Sequence, residues 1–186
     1  MEYKHSGGRV IWITGLSGAG KSTIAAELTQ KLRQKGILPV VLDGDAIRAV
    51  INDENCGHDN ISRLKNAYRI SELARLAMGQ GHFVVVATMS LFHEIHAWNR
   101  KNLPNYFEIF LDVSLETVKK RDPKNIYARA LEGNKSNIPG IDLLPEFPLS
   151  PDLKINNDKG MDQLNQLVND ILDHCLDFSK QNFSVT

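Results

Sequence analysis

One stretch of this chain has residue types and spacing that specify chemistry on phosphates: Gly15-Leu16-Ser17-Gly18-Ala19-Gly20-Lys21-Ser22-Thr23. It fits G-x-x-x-x-G-K-[ST], follows an apolar run at residues 10–13 and precedes a helical pattern. Gly15, Gly18 and Gly20 let the backbone fold tightly and bring its N–H groups against phosphate oxygens. The N-terminus of the following helix adds partial positive charge at the same spot. In such a loop Lys21 reaches the β- and γ-phosphates, and the Ser22 hydroxyl ligates Mg²⁺. The pattern predicts a cradle for a nucleoside triphosphate, built by Gly15, Ser17, Gly18, Ala19, Gly20, Lys21, Ser22 and Thr23.

A second acidic element stands at the end of the apolar run 38–42: Asp43-Gly44-Asp45. In an extended segment, residues two apart point the same way, so both carboxylates would converge on one metal ion or hydroxyl. Phosphoryl transfer needs charge neutralised on the moving group and an acceptor oxygen held in line. Asp43 suits the Mg²⁺ or its water shell, and Asp45 suits the acceptor hydroxyl, as orienting group or base. An ordinary Asp-Gly turn is the plainer alternative. Arg48 follows, then Arg63 and Asn66, which are i, i+3 on one helix face. Guanidinium groups fork onto phosphate, sulfate or carboxylate oxygens, so these residues would clamp an anionic acceptor; a solvated face is the alternative. Arg121, before Asp122-Pro123, could act from a lid on the transition state or be surface charge. His93 and His96 are i, i+3 with no third ligand in view, which argues against zinc.

These residues need a frame to bring them together. Residues 10–14 read as a buried strand with Arg9 as polar lead-in, and Ile24, Leu28 and Leu32 recur at helical spacing until Gly36. Further strands are expected at 38–42, 82–88, 106–111 and 153–155, and helices at 60–78, 91–101, 115–120, 124–131 and 161–176. The strands are continuous apolar runs, as a sheet covered on both faces demands, and residues 134–151 read as a structured loop. Strands alternating with helices predict a three-layer α/β/α fold of the P-loop NTPase kind, with a mainly parallel sheet and its ligands outside the carboxyl ends of the strands. The phosphate loop, Asp43, Asp45, residues 87–92 and Asp112 then share one edge. A single domain is expected over residues 9–178, with a lid at about 121–148 and flexible ends at 1–8 and 179–186.

Lys+Arg and Asp+Glu balance at 22 each over 186 residues, so there is no field to hold nucleic acid or an anionic membrane. No apolar run approaches the ~20 residues of a membrane helix, and the N-terminus lacks a signal-peptide pattern. Cys56 and Cys175 stand isolated, which argues for a reduced, cytoplasmic protein without a disulfide.

Read together, these residues resemble the adenylylsulfate kinase family. The resemblance is carried by residues 11–23, Leu42-Asp43-Gly44-Asp45 with Ile47-Arg48, Arg63 and Asn66, residues 107–112, Arg121-Asp122-Pro123-Lys124 with Tyr127, and Gly140-Ile141-Asp142. It implies a phosphate-loop kinase that uses ATP and Mg²⁺ to phosphorylate the 3′-hydroxyl of adenosine 5′-phosphosulfate, usually as a homodimer. It also implies that Asp45, Arg48, Arg63 and Asn66 face a small anionic nucleotide. The departures lie where that acceptor is read. The family's two phenylalanines that sandwich adenine are matched by His58 and Ile138. Its Ser-Pro-Tyr-Arg segment becomes Ser90-Leu91-Phe92-His93, and a lysine before the Gly-Ile-Asp element becomes Ser136. Base–aromatic stacking is worth about 1–3 kcal/mol, so adenine binding is expected to weaken here. Three alternatives stay open: a kinase of another nucleotide, such as the cytidine diphosphoramidate kinases that resemble this family; a kinase of a non-nucleotide acceptor; and a non-catalytic nucleotide-binding module.

Overall fold

The computed structural model describes residues 7–51, 57–134, 136–158 and 164–176. Cys56, the start of the helix expected at 161, and both expected flexible ends beyond Gly7 and Leu176 lie outside the described residues. The strands are β1 (Arg9–Gly15), β2 (Val40–Asp43), β3 (Phe83–Ala87), β4 (Tyr106–Asp112) and β5 (Leu153–Asn156). The helices are α1 (Lys21–Gln34), α2 (Gly44–Ile51), α3 (Asn60–Gly79), α4 (His93–Asn102), α5 (Leu115–Arg121), α6 (Ile126–Leu131) and α7 (Leu164–Leu176).

The five strands form one sheet in the order β2-β3-β1-β4-β5, and every pairing is parallel. β1 lies at the centre, and all seven of its residues are buried. Its side chains alternate across the sheet, as the period of two requires. Ile11 and Ile13 join Leu28 and Leu32 of α1 and Ile171 and Leu172 of α7 on one face. Val10 and Trp12 join Ala67, Ile70 and Ala74 of α3 and Ile95 of α4 on the other. This is the three-layer arrangement expected. Arg9 differs from expectation: it is buried within β1 and hydrogen-bonds Cys175 of α7, whose thiol burial pushes up to about 12.

Register sets the site. Asp43 of β2 and Ile13 of β1 both align with Ala87 of β3, and Gly15 of β1 aligns with Leu111 of β4. Four strands therefore end together, and the loops leaving them meet above one edge, where parallel sheets bind ligands. Among the described residues, no helix is long and apolar enough to cross a membrane.

Candidate active site

The phosphate loop joins β1 to α1 in one tight turn. Gly20, at the helix N-cap, has φ 103°, a left-handed conformation that glycine adopts without steric cost. The turn leaves the first N–H groups of α1 facing outward. Above them lies a cavity of about 720 Å³. Ser17, Gly18, Gly20, Lys21, Ser22 and Thr23 line it from the loop, while Gly15 and Ala19 lie beneath.

Lys21 folds back over the loop, its ammonium donating to the carbonyls of Gly15 (2.9 Å) and Leu16 (2.8 Å). An ammonium carries three protons, so one is left for the cavity that Lys21 lines. Burial lowers its pKa to about 8; the Lys124 charge adds to this, and Asp45 and Asp43 oppose it. Both effects are those of a cation held at the floor of a cleft shaped for anionic groups.

The two acidic residues reach the cavity by a route different from the one their spacing suggested. The segment is not extended through Asp45: β2 ends at Asp43 and α2 starts at Gly44. The Asp43 Oδ1 accepts the N–H groups of Asp45 (3.0 Å) and Ala46 (3.1 Å), capping α2. Its Oδ2 lies 3.5 Å from the Ser22 hydroxyl. A hydroxyl and a carboxylate oxygen at one edge of a phosphate loop are hard oxygen donors, the set Mg²⁺ takes alongside waters and phosphate oxygens; the residues present fit that ion. Asp45 stands in the first turn of α2 and forms an ion pair with Lys124. The cleft strips some water from Asp45, which pushes its pKa up. The Lys124 hydrogen bond and charge, with Lys21 and Arg48, outweigh that and hold it below the usual carboxylate range.

Arg48, Arg63, Asn66, His58, Ser90, Ile138 and Arg121 all line the same cavity. Their side chains are not all turned toward a ligand. Arg48 donates to the Gly57 carbonyl (2.5 Å). Arg63 bridges two walls, Nε donating to the His58 carbonyl (2.6 Å) and Nη2 to the Asn137 carbonyl (2.8 Å). Asn66 is buried with its Oδ1 unpartnered. The Ser90 hydroxyl lies 3.0 Å from that of Thr88. Ile138 is buried, and the Asp142 carboxylate gathers the backbone around it by accepting the N–H groups of Asn137 and Ile138. The Arg121 guanidinium donates to the carbonyls of Asn157 (2.6 Å) and Asp158 (3.2 Å), so it secures the turn after β5 while bordering the cavity.

Of the residues expected at this edge, Leu91, Phe92 and Asp112 do not line the cavity. Asp112 ends β4 but pairs with Lys154 (2.9 Å). His93 turns toward Phe147, its Nε2 lying 2.9 Å from that carbonyl. His96 meets Glu108 at 2.6 Å in a buried pair behind the sheet. Thr88 and Met89 line the cavity from the segment expected at this edge, whereas Lys124, Ile126 and Asn157 line it without having been given a role from the sequence. Asn157 binds the Ala19 carbonyl through its amide (2.9 Å), tying the end of β5 to the phosphate loop.

A parallel α/β/α sheet, a lysine-bearing phosphate loop at its carboxyl edge and a carboxylate across the cleft together define a phosphate-loop phosphotransferase. The comparisons carry this further: the adenylylsulphate kinase profile matches residues 7–156, and the chain belongs to that family, whose members transfer a phosphoryl group to a hydroxyl. The chain is 38% identical over 170 residues to the bifunctional enzyme CysN/CysC of Mycobacterium tuberculosis, a match covering 89% of this chain and 28% of that protein. It is 37% identical over 148 residues to the cytidine diphosphoramidate kinase of Campylobacter jejuni, covering 80% of this chain and 85% of that one. Among solved structures, Mycobacterium tuberculosis APS kinase CysC in complex with AMPPNP and APS superposes with a TM-score of 0.82 at 36% identity, covering 91% of this chain and 97% of that one.

Proposed function

We propose that this protein transfers the γ-phosphoryl group of ATP to the 3′-hydroxyl of a small nucleotide whose 5′ end is anionic, with adenosine 5′-phosphosulfate as the leading acceptor. The observation that carries this reading is a shared cavity: Lys21 and the phosphate loop on one side, Asp45, Arg48, Arg63 and Asn66 on the other. Lys21 and the loop N–H groups hold the triphosphate tail. Ser22 and Asp43 would hold Mg²⁺, which would supply neutralising charge for the transferred phosphoryl group. Asp45 accepts a hydrogen bond from the acceptor hydroxyl and aims its oxygen at the γ-phosphorus. As the new P–O bond forms, the bond to the bridging oxygen of ADP breaks and the hydroxyl proton passes to the Asp45 carboxylate. Arg48 and Asn66 offer donors to the acceptor's anionic group, and Arg63 holds the walls between which its base lies. Arg121 borders the nucleotide by bracing the turn at 157–158.

A second reading, with cytidine diphosphoramidate as acceptor, is favoured by the residues at the base subsite. His58 and Ile138 line it, and neither is the phenylalanine that would stack on adenine, while a cytidine diphosphoramidate kinase is among the relatives. The expected assembly is a homodimer in the cytoplasm, which light scattering and fractionation would test.

The deciding experiment is a phosphorus-NMR screen of ATP with adenylylsulfate, cytidine diphosphoramidate and simple nucleotides. Turnover of adenylylsulfate supports the first reading, and turnover of the cytidine compound alone supports the second. ATP consumption that needs no nucleotide, or that survives Lys21→Ala, would overturn both.

A further inference from the structure

We propose that Lys124 is a catalytic residue that exchanges partners, holding the Asp45 carboxylate before ATP arrives and moving to the γ-phosphate when ATP is bound. This rests on the kinase reading above. The backbone on either side of Lys124 is already fixed to the phosphate loop. Pro123 packs over Gly18, its Cδ 3.5 Å from where a Gly18 Cβ would stand. The Tyr127 hydroxyl, buried, donates to the Ser17 carbonyl (3.1 Å). Between them the Asp122 carboxylate accepts the N–H groups of Ile126 (2.9 Å) and Ala128 (2.9 Å) and so caps α6. Lys124 therefore rises from a braced segment at the mouth of the loop and lines the same cavity as Lys21.

The side chain itself is loosely held. Lys124 is 57% exposed and its partner Asp45 68%, and an ion pair this open to water is weak. The terminal phosphate of a triphosphate carries more charge and accepts charge-assisted hydrogen bonds from an ammonium, so it competes successfully for Lys124. The ammonium groups of Lys124 and Lys21 already act on one another through space, and Asp45 acts on both. A γ-phosphate placed over the loop relieves the repulsion between the two cations by lying between them. Asp45 then loses its lysine when the donor is in place, and its carboxylate turns to the acceptor hydroxyl. No covalent bond is made or broken in the exchange; only the partner of Lys124 changes.

The test is calorimetric titration, with Mg²⁺ present, of the non-hydrolysable ATP analogue AMPPNP and of ADP into four proteins: wild type, Lys124→Met, Asp45→Asn and the double variant. Lys124→Met should weaken AMPPNP by about tenfold or more, the range for a charged hydrogen bond, and leave ADP within twofold. Asp45→Asn should tighten AMPPNP several-fold by freeing Lys124, and the double variant should lose that gain. Equal losses for both nucleotides in Lys124→Met, no loss for either, or a gain in Asp45→Asn that persists without Lys124 would each overturn the exchange. A wild type that binds neither nucleotide would instead overturn the kinase reading itself.

Discussion

Arg63 and Asn137 stand 74 positions apart in the chain, and the guanidinium of one donates to the main-chain carbonyl of the other at 2.8 Å. Because the same guanidinium also holds the His58 carbonyl, one side chain of α3 fixes the spacing between two walls of the cavity, at residues 58 and 137. Arg63→Ala should raise the acceptor KM by about tenfold to a hundredfold, the cost of losing charged hydrogen bonds, with the KM for ATP within twofold. Arg63→Lys should not restore it, since a single ammonium on a flexible stem lacks the fork that reaches both carbonyls. Steady-state kinetics varying each substrate in turn will separate the two constants.

Lys21 gives the nucleotide site a pH dependence. Its pKa in the free protein is about 8, and the charged form is the one that binds phosphate. Affinity for AMPPNP should be flat below about pH 7 and fall by up to tenfold per pH unit above 8, until the raised pKa of the complex is reached. In the free protein the sign for stability is opposite to that of a stabilised cation. Between about pH 8 and the ordinary lysine value the unfolded chain binds more protons than the native one, so this group makes stability rise with pH, by at most about 1.4 kcal/mol per unit. Calorimetry and denaturant unfolding at matched pH values will read both.

His58 is exposed and lines the cavity, so a larger ring fits there without repacking a core. His58→Phe should lower the KM for an adenine acceptor by about threefold to thirtyfold, within the span of base–aromatic stacking, and change a cytosine acceptor less. An unchanged KM for adenylylsulfate would mean that the base lies elsewhere.

Gly15 tolerates no side chain. Its φ is +148°, and a Cβ would meet the Leu111 carbonyl oxygen at 2.7 Å and the Leu111 Cβ at 3.2 Å. The obstructing atoms belong to the paired strand β4 and cannot swing aside. Gly15→Ala should cost at least about 2 kcal/mol of stability, measured by urea unfolding, and weaken nucleotide binding by distorting the loop.

Much of this was legible because buried parallel strands are apolar at every position. The run at 82–88 reads directly as a strand, and β3 occupies residues 83–87 of it. The loop glycines and Lys21 announce themselves by spacing. The eight residues of α2 do not, because the helix begins immediately after β2 and its cap is the side chain of Asp43; an Asp-Gly-Asp sequence looks like a turn. Lys124 stands in the Arg121-Asp122-Pro123-Lys124 element that carries the resemblance, but its role was not legible there, because its partner Asp45 lies 79 positions away. The target of Asn157 is a main-chain carbonyl, which no residue type records. Arg63 was assigned to the right cavity, but that its fork would be spent on carbonyls depends on where residues 58 and 137 come to rest.

The central strand has both of its partners downstream, β3 at residues 83–87 and β4 at residues 106–112. During synthesis on the ribosome, seven buried residues must therefore wait unpaired until the chain has grown past residue 87, and they lack their second neighbour until it has passed residue 112, because non-local strand pairs form only after the loops between them close. Nascent fragments shorter than that should be blind to nucleotide and prone to aggregate, and this makes the emergence of β4 the event that commits the chain to its native state.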